Sequence, residues 1–171
     1  PLLSSGLPDL TVDIEAALLS WSTETREIPA ESCAIREGCL SGGGARRLLT
    51  FDSMLVNSGS APLLIGDPST NEDAHYDACH SHYHLAATMS YELISSSGST
   101  VAIGRKQGFC LMDSSPSTGT VAPRFTCEYQ GISPGWADVY DRALDCQWID
   151  VTGVSAGDYK LRLSANPDFA F

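Results

Sequence analysis

Six cysteines constrain this chain more than any other feature: Cys33, Cys39, Cys79, Cys110, Cys127 and Cys146. None stands in a Cys-x-x-Cys pair, so zinc-finger spacing is absent, and the even number points to three disulfides in an oxidising compartment. Spacing alone selects no pairing among the many that six cysteines admit. The 171 residues are enough for one domain, 1–171, with a sizeable core, and 43% hydrophobic with 18% charged residues describes a globular chain.

The formal net charge of −11 argues against nucleic acid as a partner, since phosphate binding needs basic patches. An acidic surface would instead steer basic partners, lysine-rich proteins among them. No run approaches the roughly 18 apolar residues of a membrane span. Pro1-Leu2-Leu3 lacks the basic start and long apolar stretch of a signal peptide, so secretion has to be argued from the cysteines.

Short apolar runs broken by turn residues make up most of the chain. Ile14 to Trp21 reads as a short helix or strand, and Cys33 and Cys39 bracket a short loop. Leu48 to Val56 is apolar on both faces, as in a packed strand, and Asn57-Ser58-Gly59-Ser60 then turns. Pro62 to Ile65 gives another strand. Met89 to Ile94 and Thr100 to Ile103 flank Ser95-Ser96-Ser97-Gly98-Ser99 as a hairpin. Asp145 to Val151 and Asp158 to Ala165 are two further strands, and Tyr159, Leu161 and Leu163 alternate with polar residues as in a half-buried antiparallel strand. The pattern predicts a mainly β protein: an antiparallel β-sandwich with long loops and little helix, stapled by disulfides.

Within this pattern lies Cys79-His80-Ser81-His82-Tyr83-His84. It holds three of the four histidines in the chain. Neutral imidazole is a common ligand for copper and zinc, and on a strand residues i, i+2 and i+4 share a face. A straight strand would put the outer two Cα atoms about 13 Å apart, so three rings on one ion require a bend, a bulge or strong twist. The plain alternative is a histidine-rich surface strand without metal. His75 is read as an exposed loop histidine unless the site needs it.

Four segments, in order and across nearly the whole chain, resemble the lysyl oxidase catalytic domain. They are Cys79-His80-Ser81-His82-Tyr83-His84, Gly104-Arg105-Lys106-Gln107-Gly108-Phe109-Cys110-Leu111, Gln130-Gly131-Ile132-Ser133-Pro134-Gly135 and Asp145-Cys146-Gln147-Trp148-Ile149-Asp150. Leu7-Pro8-Asp9-Leu10 looks like that domain's opening. The resemblance implies a secreted, extracellular copper amine oxidase that turns peptidyl lysine into an aldehyde, releases hydrogen peroxide and ammonia, and so cross-links extracellular protein. It implies copper on His80, His82 and His84, and a lysine tyrosylquinone made from Lys106 and Tyr140. Substrate would be a lysine-bearing extracellular protein, with O₂ as co-substrate. Copper is expected over zinc, because making a quinone from tyrosine needs a redox metal. Asp138, two residues from Tyr140, is the candidate general base.

The same resemblance implies the pairs Cys33–Cys79, Cys39–Cys146 and Cys110–Cys127. Animal members of the family carry a further bridge from the loop after Phe-Cys to Ser-Pro-Gly-Cys. Here Trp136 holds the second position and no cysteine lies between Cys110 and Cys127. Tyr76-Asp77-Ala78 stands where the family has an aromatic residue and histidine before the copper-site cysteine, so a contact behind the metal ligands should differ. Asp9 and Leu10 match one half of a family calcium site, whose other half would follow Asn166-Pro167.

Without the resemblance, Lys106 reads as a solvated cation, Tyr140 as a core aromatic, Asp138 as a surface acid, and Trp136 and Trp148 as packing residues. A competing function is an extracellular structural or filament-forming protein that self-associates and keeps the metal site without turnover. The presence of both Lys106 and Tyr140 favours the enzyme.

Overall fold

The chain divides into two units interleaved in sequence, one from Pro1–Asp13, Met54–Ala86 and Gly108–Val139, the other from Ile14–Ser53, Ala87–Gln107 and Tyr140–Phe171. A computed structural model describes residues 6–85, 88–105, 109–118 and 121–167, without the Arg105 side chain. In chain order the elements are β1 (Leu10–Asp13), α1 (Ile14–Ser20), β2 (Ser22–Ile28), α2 (Cys33–Arg36), β3 (Gly44–Thr50), β4 (Ser53–Asn57) and β5 (Leu63–Gly66). A 3₁₀ turn (Pro68–Thr70) leads to β6 (Ala74–Asp77), β7 (His82–Leu85), β8 (Met89–Ser95), β9 (Thr100–Arg105) and β10 (Ser115–Pro116). The last strands are β11 (Gln130–Ile132), β12 (Trp136–Tyr140), β13 (Trp148–Asp150) and β14 (Tyr159–Ala165). The protein is therefore mainly β, with several small antiparallel sheets, little helix and three disulfides.

The first unit holds the sheet β1-β4-β12-β10, the pair β11-β5 and the hairpin β6-β7. Its irregular stretch after Cys110 is organised by one buried carboxylate. Asp113 accepts the backbone N–H groups of Arg124, Phe125 and Ser133 and the Ser133 hydroxyl, which fold Leu111 to Ile132 back on itself. The Trp136 indole N–H donates to the Val121 carbonyl at 2.9 Å.

The second unit holds β13-β3-β2 and β14-β8-β9. The apolar run from Leu48 is two strands, β3 and β4. It breaks at Phe51 and Asp52 because side chains take their backbone groups: Gln147 Nε2 donates to the Phe51 carbonyl at 3.0 Å, and the Asp52 N–H donates to Ser20 Oγ at 2.7 Å. Groups spent this way cannot extend a ladder. The two sheets approach at Gly104, where a Cβ would lie 2.4 Å from the Trp148 carbonyl oxygen, so this position needs glycine. Tyr91 and Phe51 pack edge to face at 4.9 Å beneath them. Trp148 is buried with the Arg26 guanidinium 4.9 Å above its ring, a packing role as the sequence suggests.

Cys39 is bonded to Cys146 and Cys110 to Cys127. Cys33 and Cys79 are also disulfide-bonded.

Candidate metal centre

The histidine run is not one strand. His80 lies in the turn that joins β6 to β7, while His82 and His84 lie on β7. The bend needed to gather three rings is at Ser81, whose φ of 60° is in the left-handed region. A non-glycine residue there costs about 1–2 kcal/mol, and local hydrogen bonds offset it. Asp77 Oδ1 accepts the N–H of Cys79 at 2.6 Å and of His80 at 3.3 Å, and the Ser81 N–H donates to the Asp77 carbonyl at 2.8 Å. Asp77 therefore caps the turn.

The three rings come together: centroids are 5.9 Å apart for His80 and His82, 5.3 Å for His80 and His84, and 4.7 Å for His82 and His84. His82 Nδ1 lies 3.0 Å from the His80 carbonyl. A carbonyl can only accept, so Nδ1 carries the proton and Nε2 presents its lone pair. That lone pair faces His84 Nε2 at 3.1 Å. Two imidazole nitrogens about 2.0 Å from one ion, at an angle of roughly 90–110°, would be about 2.8–3.3 Å apart. The spacing and donor type fit a copper or zinc ion.

His84 is buried. That burial, helped by His82, pushes its pKa down to about 4, so the ring is neutral and ready to ligate at physiological pH. Burial works to raise Asp77, but the Cys79 and His80 N–H groups and the nearby His84 and His80 outweigh it, and the carboxyl is lowered.

Three contributors to this centre carry no assigned role in the sequence reading. Phe109 packs on the rings, 6.2 Å from His80 and stacked 6.3 Å from His84. Gln130 is fully buried; its Nε2 donates to the Tyr83 carbonyl at 3.3 Å and its Oε1 accepts the Leu111 N–H at 3.1 Å, tying β7 to the Cys110–Cys127 segment between His82 and His84. His75 is exposed, as expected, but stands on β6 and not in a loop. Its ring meets His84 edge-on at 5.7 Å. A strand period in His75-Tyr76-Asp77 was the available signal; its pairing partner was not visible in sequence.

The lysyl oxidase family profile matches residues 8–171. The chain belongs to the lysyl oxidase family. It is 36% identical to human lysyl oxidase homolog 1 over 96% of this chain and 30% of the relative. It is 35% identical to mouse lysyl oxidase homolog 2 over 97% of this chain and 23% of the relative. With chicken protein-lysine 6-oxidase it shares 36% identity over 96% of this chain and 41% of the relative. The chain thus spans well under half the length of these relatives.

The other expected lysyl oxidase residues are placed as follows. Asp138 is buried on β12, not a surface acid, and its Oδ1 accepts the Ser114 hydroxyl at 3.2 Å. Tyr140 ends the same strand, two residues on and buried, so both sit on one strand face. Lys106 lies outside the described residues. Asp9 uses its carboxylate to accept the Ser58 hydroxyl at 3.2 Å, and Leu10 pairs with Asn57 in β1. Among the described residues Asp9 joins no group of three metal-ligating side chains. A cavity of about 660 Å³ in the second unit is apolar, lined by residues such as Leu18, Trp21 and Leu161. None of the expected site residues lines it.

Proposed function

We propose that this chain is the catalytic part of a secreted, copper-dependent amine oxidase that converts peptidyl lysine to an aldehyde and so cross-links extracellular protein. The observation that carries this is the pair of Nε2 atoms of His82 and His84, 3.1 Å apart, within a chain of the lysyl oxidase family. His80, His82 and His84 would hold copper. Copper with a lysine tyrosylquinone built from Lys106 and Tyr140 would supply the oxidant for a primary amine, with O₂ reduced to hydrogen peroxide and ammonia released.

The remaining work falls to the chain's own side chains. The His80 carbonyl keeps the proton on His82 Nδ1, which leaves Nε2 for the metal. Burial keeps His84 neutral. Asp138 would take the proton from the substrate carbon next to nitrogen, with the Ser114 hydroxyl holding its carboxylate in place. Phe109 lies against the histidine rings and helps shield them from water. The net charge of −11 suits a lysine-bearing protein substrate, and three disulfides suit an extracellular location.

Peptide mass mapping of copper- and O₂-loaded protein tests the reading. A cross-linked peptide pair containing Lys106 and Tyr140 is expected, together with quinone absorbance. Tyr140→Phe should keep the metal and lose amine-dependent peroxide release. Unmodified Lys106 and Tyr140 in loaded protein would overturn the oxidase and leave the structural, self-associating alternative.

A further inference from the structure

We propose that His75 is a metal ligand in this protein, so that the ion is gripped from both strands of the β6-β7 hairpin. The inference rests on reading the hairpin as a metal centre, and extends it to a residue outside the His80, His82 and His84 set.

The argument starts from register. His75 pairs with His84, Tyr76 with Tyr83, and Asp77 with His82. Side chains alternate across a strand, so His75, Asp77, His82 and His84 share one face of the ladder, and Tyr76 and Tyr83 share the other. The two tyrosine rings meet at 5.4 Å on their own face. The sequences His75-Tyr76-Asp77 and His82-Tyr83-His84 thus present the same donor-aromatic-donor pattern from opposite strands.

Distances agree with this register. One donor atom each from His75, Asp77 and His84 lie within 4.8 Å of one another. Donors on opposite sides of one ion, each about 2.1 Å away, would be roughly 4.2 Å apart, so small side-chain rotations close the set. Two imidazoles and a carboxylate suit a first-row divalent ion such as copper or zinc. Asp77 can serve both ends, because its Oδ1 already caps the turn that carries His80. Exposure of His75 places this ligand on the solvent side of the centre.

The test is a Cu(II) titration of the whole protein, read by pulsed EPR of the coupled imidazole nitrogens, with no measurement of turnover. His75→Ala should lose one imidazole coupling and bind Cu(II) at least tenfold more weakly. Tyr76→Ala, on the same strand but the opposite face, should match wild type. If wild type binds Cu(II) through imidazoles and His75→Ala has the same spectrum and affinity, the inference fails and the three-histidine reading stands. Equal changes in both variants would assign the effect to the hairpin as a whole and overturn it too. Absence of imidazole-bound Cu(II) in wild type would overturn both readings.

Discussion

The β6-β7 hairpin and the buried network under β8 and β13 are both polar, yet they are held in opposite ways. In the network, Tyr91 donates to Gln147 Oε1 at 3.0 Å, while Gln147 Nε2 donates to the Phe51 carbonyl at 3.0 Å and to Ser53 Oγ at 2.9 Å. These groups are all buried, so the hydrogen bonds do not compete with water. Burial also raises the Tyr91 phenol far above its ordinary value and keeps it a donor. The hairpin has two short strands, a left-handed serine and histidine nitrogens that face each other across 3.1 Å. Its imidazole rings converge on a common space. A network closed on itself makes a core, and one whose imidazole nitrogens converge on a shared space can make a ligand site.

The largest effect that would sharpen this contrast is expected from Gln147→Ala. It leaves the Phe51 carbonyl without its buried amide donor and the Tyr91 hydroxyl with Ser53 Oγ alone, and should cost about 4 kcal/mol in denaturant unfolding. Cu(II) affinity of the folded variant should not change. A cost under about 1 kcal/mol would show that the network is not internally satisfied.

A smaller effect is expected from pH in metal-free protein. Folded His84 titrates near 4, against 6.5 for an unperturbed imidazole. Between those values the unfolded chain binds more protons than the folded one, so stability is present above pH 6.5 and falls as pH drops towards 4. The loss should be about 2–3 kcal/mol, with a slope near one proton, and His84→Gln should flatten it. A wild-type profile unchanged over this window would mean that His84 is not buried neutral.

The smallest effect should come from Trp136→Phe, which removes the hydrogen bond to Val121. About 1 kcal/mol is expected from thermal unfolding, with the hairpin's metal affinity unaltered. A change in metal affinity would tie the loop to the centre and blur the contrast.

Much of this was legible in the chain. Alternation in Tyr159 to Ala165 marked β14, and Ser95 to Ser99 marked the turn between β8 and β9. The histidine run marked the candidate metal centre because three imidazoles so close together have few other uses. Other features were hidden because they depend on residues far apart in sequence. Leu48 to Val56 looked like one strand, since nothing local reveals that Gln147 takes the Phe51 carbonyl. Without the family resemblance Asp138 reads as a surface acid, since its burial depends on what packs on β12.

The sequence alone determined the candidate donors, the disulfide-bearing β class and the family motifs, because residue identity fixes what a side chain can ligate, oxidise or bury. Tertiary structure decided how the donors are aimed. His80, His82 and His84 would be spread along about 13 Å on a straight strand. The Asp77-capped turn at Ser81 gathers them, and the pairing of β6 with β7 brings His75 to their face. Those are facts of hydrogen-bond register and backbone dihedral, which no single residue carries.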